Sequence, residues 1–595
     1  MASENVKIRI NEYDKTSPAG SPTDSTDIAF VPGFSVLASA PKCTPILCTT
    51  VDEFEATFGK TPRVLTTADV KEYPKYGFLA GEYDRGYIFA KELLYEGMPV
   101  VYSNIISNSY YTDIVNEDVK DVKSSDTKTS CNFADSCLTL QPSGTYKDEL
   151  TVTFTKTLNL DASADGSASK IKELFIDTIC SNPLVKILKK SFIIKKPTQI
   201  PEGVILNKFS SNHYEFINTS TSPQAFTIEV TLEIDQSKID YDSTNIEANK
   251  YTIELKELSE ESFLSSLYSS DETVNTIEEQ LKLISDKSVY SVKYITTGGY
   301  PVVTVDDVDE NRNVNEHFAS KMLEYASKRG DAVAFIDYQL RESEICFNID
   351  ATSGSFYSKM QSAFNNKQNA EYGAMMYPWA IYNCGSSVPD KPQVAMPASF
   401  GYLRCVAKAI KSSPNWLAMA GVTRGIVPGI VKLLTPRNVL TNTDAEEMQP
   451  KYGVENHNLS INCITNVRPY GLTLWGNRTL KPVAKDGTVA LNFLNIRNML
   501  SDIKKLLYTS AKSVMFEQDS DATWRKFKGG IEPLLRQLKI GNGISDYQIV
   551  RATTRYNGDP LTKGEIAAVI RIYPLYAIEY FELSVEINDQ EVTVL

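Results

Sequence analysis

Asn315 to Tyr338, NEHFASKMLEYASKRGDAVAFIDY, decides how this chain is read. The stretch through Lys328 has the makeup of a helix, and Ala332 to Tyr338 that of a buried strand. The same alternation runs outward on both sides. Helical sequence at Ser259 to Ser285 leads to a strand at Val289 to Thr296. Beyond Tyr338 come a helix at Ser355 to Asn365, a strand at Ala374 to Tyr382 and a helix at Ser399 to Lys411. Strands alternating with helices of this length need right-handed crossovers and build a largely parallel sheet.

A second α/β stretch lies near the start. Ile28 to Leu37 reads as strand, turn and strand around Pro32-Gly33, and Pro45 to Thr49 as a short strand. Thr50 caps a helix with Glu53 three residues on, and Phe54 and Phe58 share one face. Tyr83 to Glu96 is an amphipathic helix and Pro99 to Ile106 a buried strand. Between the two α/β stretches the composition changes. Asp113 to Leu258 is rich in Ser, Thr, Asp and Lys, with short alternating runs at Leu150 to Thr155 and Phe226 to Ile234. Period-two runs punctuated by Pro, Gly and Asn indicate an inserted, mainly β domain. The expected organisation is therefore α/β and α+β multidomain. Residues 28–112 and 259–480 form a discontinuous α/β core, 113–258 the β-rich insertion, and 481–595 a smaller α+β C-terminal domain. In that last part Leu491 to Thr509 is a long helix and Val514 to Glu517 a strand. Ala522 to Lys539 is a helix interrupted at Gly529-Gly530, and Ile549 to Arg555 and Gly564 to Pro574 are strands.

The two chain ends are extended β arms. In the first, Val6, Ile8 and Ile10 point one way and Lys7 and Arg9 the other. Asp14 to Asp27 is a Ser, Thr, Pro, Gly and Asp linker that stretches to about 46 Å, completing an arm over 1–27. In the second, Leu583, Val585 and Ile587 alternate with Glu582, Ser584 and Glu586 over a strand read from Ala577 to Ile587. Asn588-Asp589 then turns the chain, and Val592 and Val594 lie in the extended end. Strands on such tethers can add to the sheets of neighbouring copies. Lys7 and Arg9 on one arm face Glu582, Glu586 and Glu591 on the other in sign, which favours cross-pairing by roughly 0.2–1 kcal/mol per pair.

Composition bounds the function. Of 595 residues, 42% are apolar and 23% charged, so large cores can be built. A net charge of -13 argues against a broad nucleic-acid footprint. The N-terminus shows no targeting pattern and no run approaches a membrane span, so use in a cytoplasm without membrane insertion is expected. The nine cysteines are odd in number and lie mostly in apolar runs, as free thiols in a reducing compartment would.

Catalytic chemistry finds little support. The only histidines are His213, His317 and His457, with no HExxH pair and no G-x-S-x-G elbow. Gly59-Lys60-Thr61 lacks the upstream glycine of a phosphate loop. Asp306, Asp307, Asp309 and Glu310 lack the glycine and closing glutamate of an EF-hand. No cofactor and no metal site are expected. The alternative of an α/β hydrolase-like enzyme with a β-rich accessory domain lacks a nucleophile and a base.

Several segments, in order, resemble the contractile tail sheath family of bacteriophages and injection systems. Ile28-Ala29-Phe30-Val31-Pro32-Gly33 is similar to its opening motif. Pro45-Ile46-Leu47 with Val51-Asp52-Glu53-Phe54 and Phe58-Gly59 resembles its strand and "EF…FG" helix. Asp84-Arg85-Gly86-Tyr87 through Gly97-Met98-Pro99-Val100-Val101-Tyr102 resembles the helix that leads into a strand. Leu474-Trp475-Gly476-Asn477-Arg478-Thr479 resembles "WG-x-RT", and Val514-Met515-Phe516-Glu517 with Trp524 the "FE…W" segment. Ile570 to Leu583, with Pro574, Glu579 and Phe581, resembles the closing strand; Tyr576-Ala577-Ile578 departs where the family often carries a second proline.

The resemblance implies a subtilisin-like α/β core without peptidase activity. It implies a homo-oligomer of stacked hexameric rings around an inner tail tube protein, with baseplate and tail terminator proteins as further partners. The subunit would sit in a virion tail assembled in the host cytoplasm, and contraction would drive the tube through a target cell envelope. Arg525, Lys526, Lys528, Arg536 and Lys539 make a basic helix in an acidic chain and are the candidate tube-facing residues.

Overall fold

The computed structural model describes residues 27–71, 79–106, 111–113, 130–133, 137–140, 149–162, 170–194, 200–239, 242, 244–245, 250–258, 271–300, 318–337, 369–410, 413–414, 416–435, 440–451, 457–484, 487–555 and 558–579. The fold is a mixed α/β, multidomain one with several sheets. Among the described residues the largest sheet has eight strands. From one edge they are Ile46–Cys48, Val100–Asn104, Ala29–Gly33, Tyr294–Ile295, Val333–Asp337, Gly373–Tyr377, Asn462–Val467 and Gly471–Trp475. The six inner strands pair in parallel and each outermost strand is antiparallel to its neighbour. Ala29–Gly33, Val100–Asn104, Val333–Asp337 and Gly373–Tyr377 are buried at every position, as strands covered on both faces must be.

Close backbone approach fixes the sheet's first crossover. Gly86 opens the Arg85–Tyr95 helix directly over Pro32, and a Cβ there would lie 2.3 Å from the Pro32 carbonyl oxygen. Asp84 caps this helix by accepting from the Tyr87 amide at 2.9 Å, and it also accepts from the Phe34 amide at 3.2 Å. Thr50 caps Val51–Phe58 as expected. Phe54 and Phe58 pack edge-on against Tyr102 with centroids 5.0 and 4.6 Å away.

The β-rich stretch folds as two further sheets. Val204–Lys208, His213–Asn218, Lys170–Cys180, Tyr251–Leu258 and Tyr111–Asp113 line up in one, with Cys137–Leu140 also on Tyr251–Leu258. Ser130–Phe133, Glu149–Leu160, Gln224–Asp235 and Lys186–Ile194 form the other. Alternate residues of Gln224–Asp235 are buried, and Phe226, Val230 and Leu232 meet Leu174, Phe216 and Ile253 in one apolar cluster. A buried polar chain ties these strands to the α/β region. Arg63 reaches Asp69 at 2.7 Å and Glu173 at 2.8 Å, and Glu173 bonds His213 at 2.8 Å. Desolvation opposes the Glu173 charge, but Arg63 and His213 outweigh it and hold its pKa below the usual range.

In the C-terminal part a long helix, Leu494–Lys512, packs with a second, Asp521–Ile540, and with a two-stranded antiparallel sheet, Ile544–Ala552 and Ala567–Pro574. Their shared cluster is Trp416, Phe493, Ile496, Met499, Ile503, Leu538 and Ile544.

Several expected elements differ. Ile28 to Leu37 holds one strand, because Pro32 continues in register opposite Ser103 instead of turning the chain. Ala374 to Tyr382 is two strands, Gly373–Tyr377 in the large sheet and Ala380–Asn383 in a separate three-stranded one. The strand expected at Val289 to Thr296 is confined to Tyr294–Ile295. Val514 to Glu517 is a turn after the long helix, with Phe516 at φ 65° and 85% exposed. Gly529-Gly530 does not interrupt its helix: a Cβ at Gly530 would stand 3.2 Å from the Ser510 hydroxyl, so the glycine lets the second helix run close beside the first. Ser355 to Asn365 lies outside the described residues.

Candidate assembly surface

The two-stranded sheet of the C-terminal part is half-open among the described residues. Its register runs from Ile544 opposite Pro574 to Ala552 opposite Ala567. Among the described residues each strand has a partner on one side only. Ile544, Tyr547 and Ile572 face the helices and join the Trp416 cluster. The other face is mixed and half-exposed, with Val569, 42% exposed, standing opposite Val550. Arg551 reaches Asp519 at 2.5 Å, Lys539 reaches Asp546 at 2.7 Å, and Arg571 donates to Gln548 at 2.7 Å. An open pair of edges with unpaired backbone groups is a template for added strands.

Val6, Lys7, Ile8, Arg9 and Ile10, and Glu582, Leu583, Val585, Glu586, Ile587, Val592 and Val594, lie outside the described residues. Ala577 to Glu579, the described start of the expected closing strand, is not in a strand. What the structure adds is where the two ends leave. Asp27, the first described residue, accepts from the buried Lys293 ammonium at 2.6 Å and from the Tyr294 hydroxyl at 3.1 Å. Lys293 also donates to Asp502 of the long helix at 2.8 Å. Burial opposes the charge on Lys293, and the two carboxylates more than offset it, raising its pKa. Glu579, the last described residue, pairs with Arg478 through Nε at 2.8 Å and through a second guanidinium nitrogen. The Arg478 guanidinium lies 4.4 Å over the Phe493 ring, and Phe493 meets Tyr576 edge-on at 5.1 Å. Desolvation raises the Glu579 pKa, with Arg478 pulling against it.

The basic helix is less bare than its sequence. Arg525, Lys526, Arg536 and Lys539 are exposed and Lys528 is half-buried. Lys526 pairs with Glu517 at 3.0 Å, and Lys528 and Arg536 both approach Glu532, at 3.9 and 3.8 Å.

Asp337, at the end of its parallel strand, accepts from the Ser399 amide at 3.0 Å and from its hydroxyl at 2.5 Å, capping the Ala398–Ile410 helix. Complete burial pushes its pKa up to about 7 against those two hydrogen bonds. His213 is taken by Glu173, and His457 bonds the Glu447 carbonyl. Among the described residues there is no cluster able to hold a metal ion, and no helix is long and apolar enough to cross a membrane. Sequence reasoning missed Lys293 and Asp502, which carried no signal. Arg478 and Glu579 both stood in recognised motifs, but nothing in either motif pointed to the other.

No family model matches the chain. Over 172 residues it is 24% identical to the tail sheath protein of Vibrio phage KVP40, covering 29% of this chain and 23% of that protein. Over 178 residues it is 24% identical to the tail sheath protein of Enterobacteria phage T4, covering 30% and 25%. The matched region spans about a quarter of the length of each of these curated relatives. Among solved structures, the sheath tail protein of Desulfitobacterium hafniense aligns over 96% of this chain and 100% of its own, at 10% identity and a TM-score of 0.39, too loose a likeness to bear weight. The proteins that this chain resembles are phage tail sheath proteins.

Proposed function

We propose that the chain is a structural subunit of a contractile tail sheath, assembling with copies of itself and working by rearrangement, without catalysis. The observation that carries this reading is the two-stranded sheet, both of whose outer edges are open among the described residues. Ile544–Ala552 offers an edge of about 30 Å at 3.3–3.4 Å per residue. The alternating arm around Val6 to Ile10 and the strand around Glu582 to Ile587 are the segments suited to fill such edges in adjacent copies. Residues 1–27 are then a linking arm, 28–112 and 259–480 a subtilisin-like core, 113–258 an outward-projecting insertion and 481–595 the domain that joins copies. Stacked hexameric rings would surround an inner tube, ending at baseplate and terminator proteins in a virion tail. Flexible links keep such a mesh joined while rigid cores rotate and slide during contraction.

The test is electron microscopy of the purified protein with tube protein. Full-length chain is expected to give striated tubes. A variant lacking residues 1–13 is expected to stay a folded monomer. Normal sheaths from the truncated chain would overturn the linking role, and absence of tubes from the full chain the sheath reading itself.

A further inference from the structure

The root of each terminal segment is held by a charged clamp: one engages the Leu494–Lys512 helix through Asp502, and the other stacks on Phe493 at that helix's N-cap. Residues 1–26 join the described chain at Asp27, whose carboxylate shares the buried Lys293 ammonium with Asp502. All three side chains are at most 4% exposed. Burying two carboxylates and an ammonium is costly unless each is paired, so the trio resists being pulled apart in water-free surroundings. Residues 580–595 leave at Glu579, held by two guanidinium nitrogens of Arg478. Arg478 is itself locked, its amide donating to Asn462 at 2.7 Å and its guanidinium stacked on Phe493. Phe493 occupies the N-cap position of Leu494–Lys512 without a side-chain capping bond, and Asp502 lies on that helix about 13 Å further along its axis.

We infer that Leu494–Lys512 is a tie between the two arms, with Asp27–Lys293–Asp502 anchoring one root and Arg478–Glu579–Phe493 the other. This rests on the reading of the arms as links between copies. A pull on either arm then loads one rigid rod instead of peeling a strand from its own sheet. Lys293, Asp502, Arg478 and Glu579 are positioning residues: they fix where each arm departs and make no contact that this reading assigns to a neighbouring copy.

The clamp can be read on the free monomer. Tyr580 and Phe581 are chymotrypsin sites immediately beyond Glu579. In Glu579→Ala, cleavage there is expected to quicken about fivefold, the scale of losing one partly exposed ion pair, with the melting temperature little changed. The exchanged pair Arg478→Glu with Glu579→Arg is expected to slow cleavage again, which lost packing alone would not do. If Glu579→Ala loses its cooperative melt, Glu579→Gln replaces it with about a twofold effect expected, since one hydrogen bond survives. On assembly with tube protein, the Ala variant is expected to need a several-fold higher concentration than the full-length chain. Unchanged cleavage in these variants would overturn the clamp. Tubes from the Ala variant at an unchanged concentration would overturn its part in linking copies. If the unaltered chain forms no tubes, the sheath reading fails while the cleavage rates still judge the clamp.

Discussion

The eight-stranded sheet and the two-stranded sheet obey the same hydrogen-bonding rules but stand at opposite ends of self-sufficiency. In the first, five of the six parallel strands are buried at every position, and whole runs such as Val333–Asp337 see no solvent. In the second, helices cover one face, the other is half-exposed, and both outer edges lack a partner among the described residues. Under the proposed reading, the contrast places stability in the buried large sheet and assembly at the small sheet's open edges.

The largest expected effect breaks the enclosed sheet. Phe335 is fully buried, its ring 5.7 Å from Tyr294 and 4.8 Å from Tyr402. Phe335→Ala is expected to cost about 3–5 kcal/mol in denaturant unfolding of the monomer. A loss under about 1 kcal/mol would mean that this layer is not a tightly packed core.

Next comes the displaced titration of a carboxyl at the end of a strand of the enclosed sheet. Asp337 has its folded pKa raised to about 7, against about 3.9 when unfolded. Between those values the folded protein binds a proton that the unfolded chain does not. The Asp337 contribution therefore grows as pH falls from 8 to 5 and is lost as pH rises through 7. Wild type minus Asp337→Asn, measured by chemical denaturation at both pH values, is expected to differ by about 2–3 kcal/mol, favouring wild type at pH 5. A flat difference would place that carboxyl in contact with water.

A smaller effect sharpens the contrast from the open side. Val569→Ser is expected to cost under about 1 kcal/mol in the monomer, because the side chain is 42% exposed. The same change should impair tube formation seen by electron microscopy. A large monomer loss would show that this face is already closed by its own chain. Smallest for the monomer is Arg525→Glu with Lys526→Glu, expected within about 0.5 kcal/mol because the Lys526–Glu517 pair is half-exposed. Its effect should appear only in assembly around an acidic tube, and unaltered assembly would remove that helix from the contact.

Local rules carried much of the fold. Thr50 with Glu53 marked a helix start, and the alternation at Phe226 to Ile234 marked a strand buried at every second residue. Where local rules failed, tertiary contacts had decided. Gly529-Gly530 has poor helix propensity, yet Gly530 buys close packing on Ser510. Val514 to Glu517 has strand-like residues, but the chain turns there with Phe516 left-handed. Of the residues that hold the two roots, only Arg478 and Glu579 were legible, as members of motifs, and neither pairing was. Lys293 meets Asp502 across 209 residues and Arg478 meets Glu579 across 101, separations that carry no periodic signal.

One pairing in the β-rich stretch bears on how this molecule could be altered. Tyr111 stands directly opposite Leu258 in an antiparallel ladder, so everything from 112 to 257 enters and leaves through two adjacent backbone positions. Neighbouring strands lie about 4.8 Å apart. A short turn could bridge that gap: excision would leave the two cut ends already side by side with no strand of the large sheet to re-route, and its cost would fall on the buried Arg63, which loses Glu173 as partner.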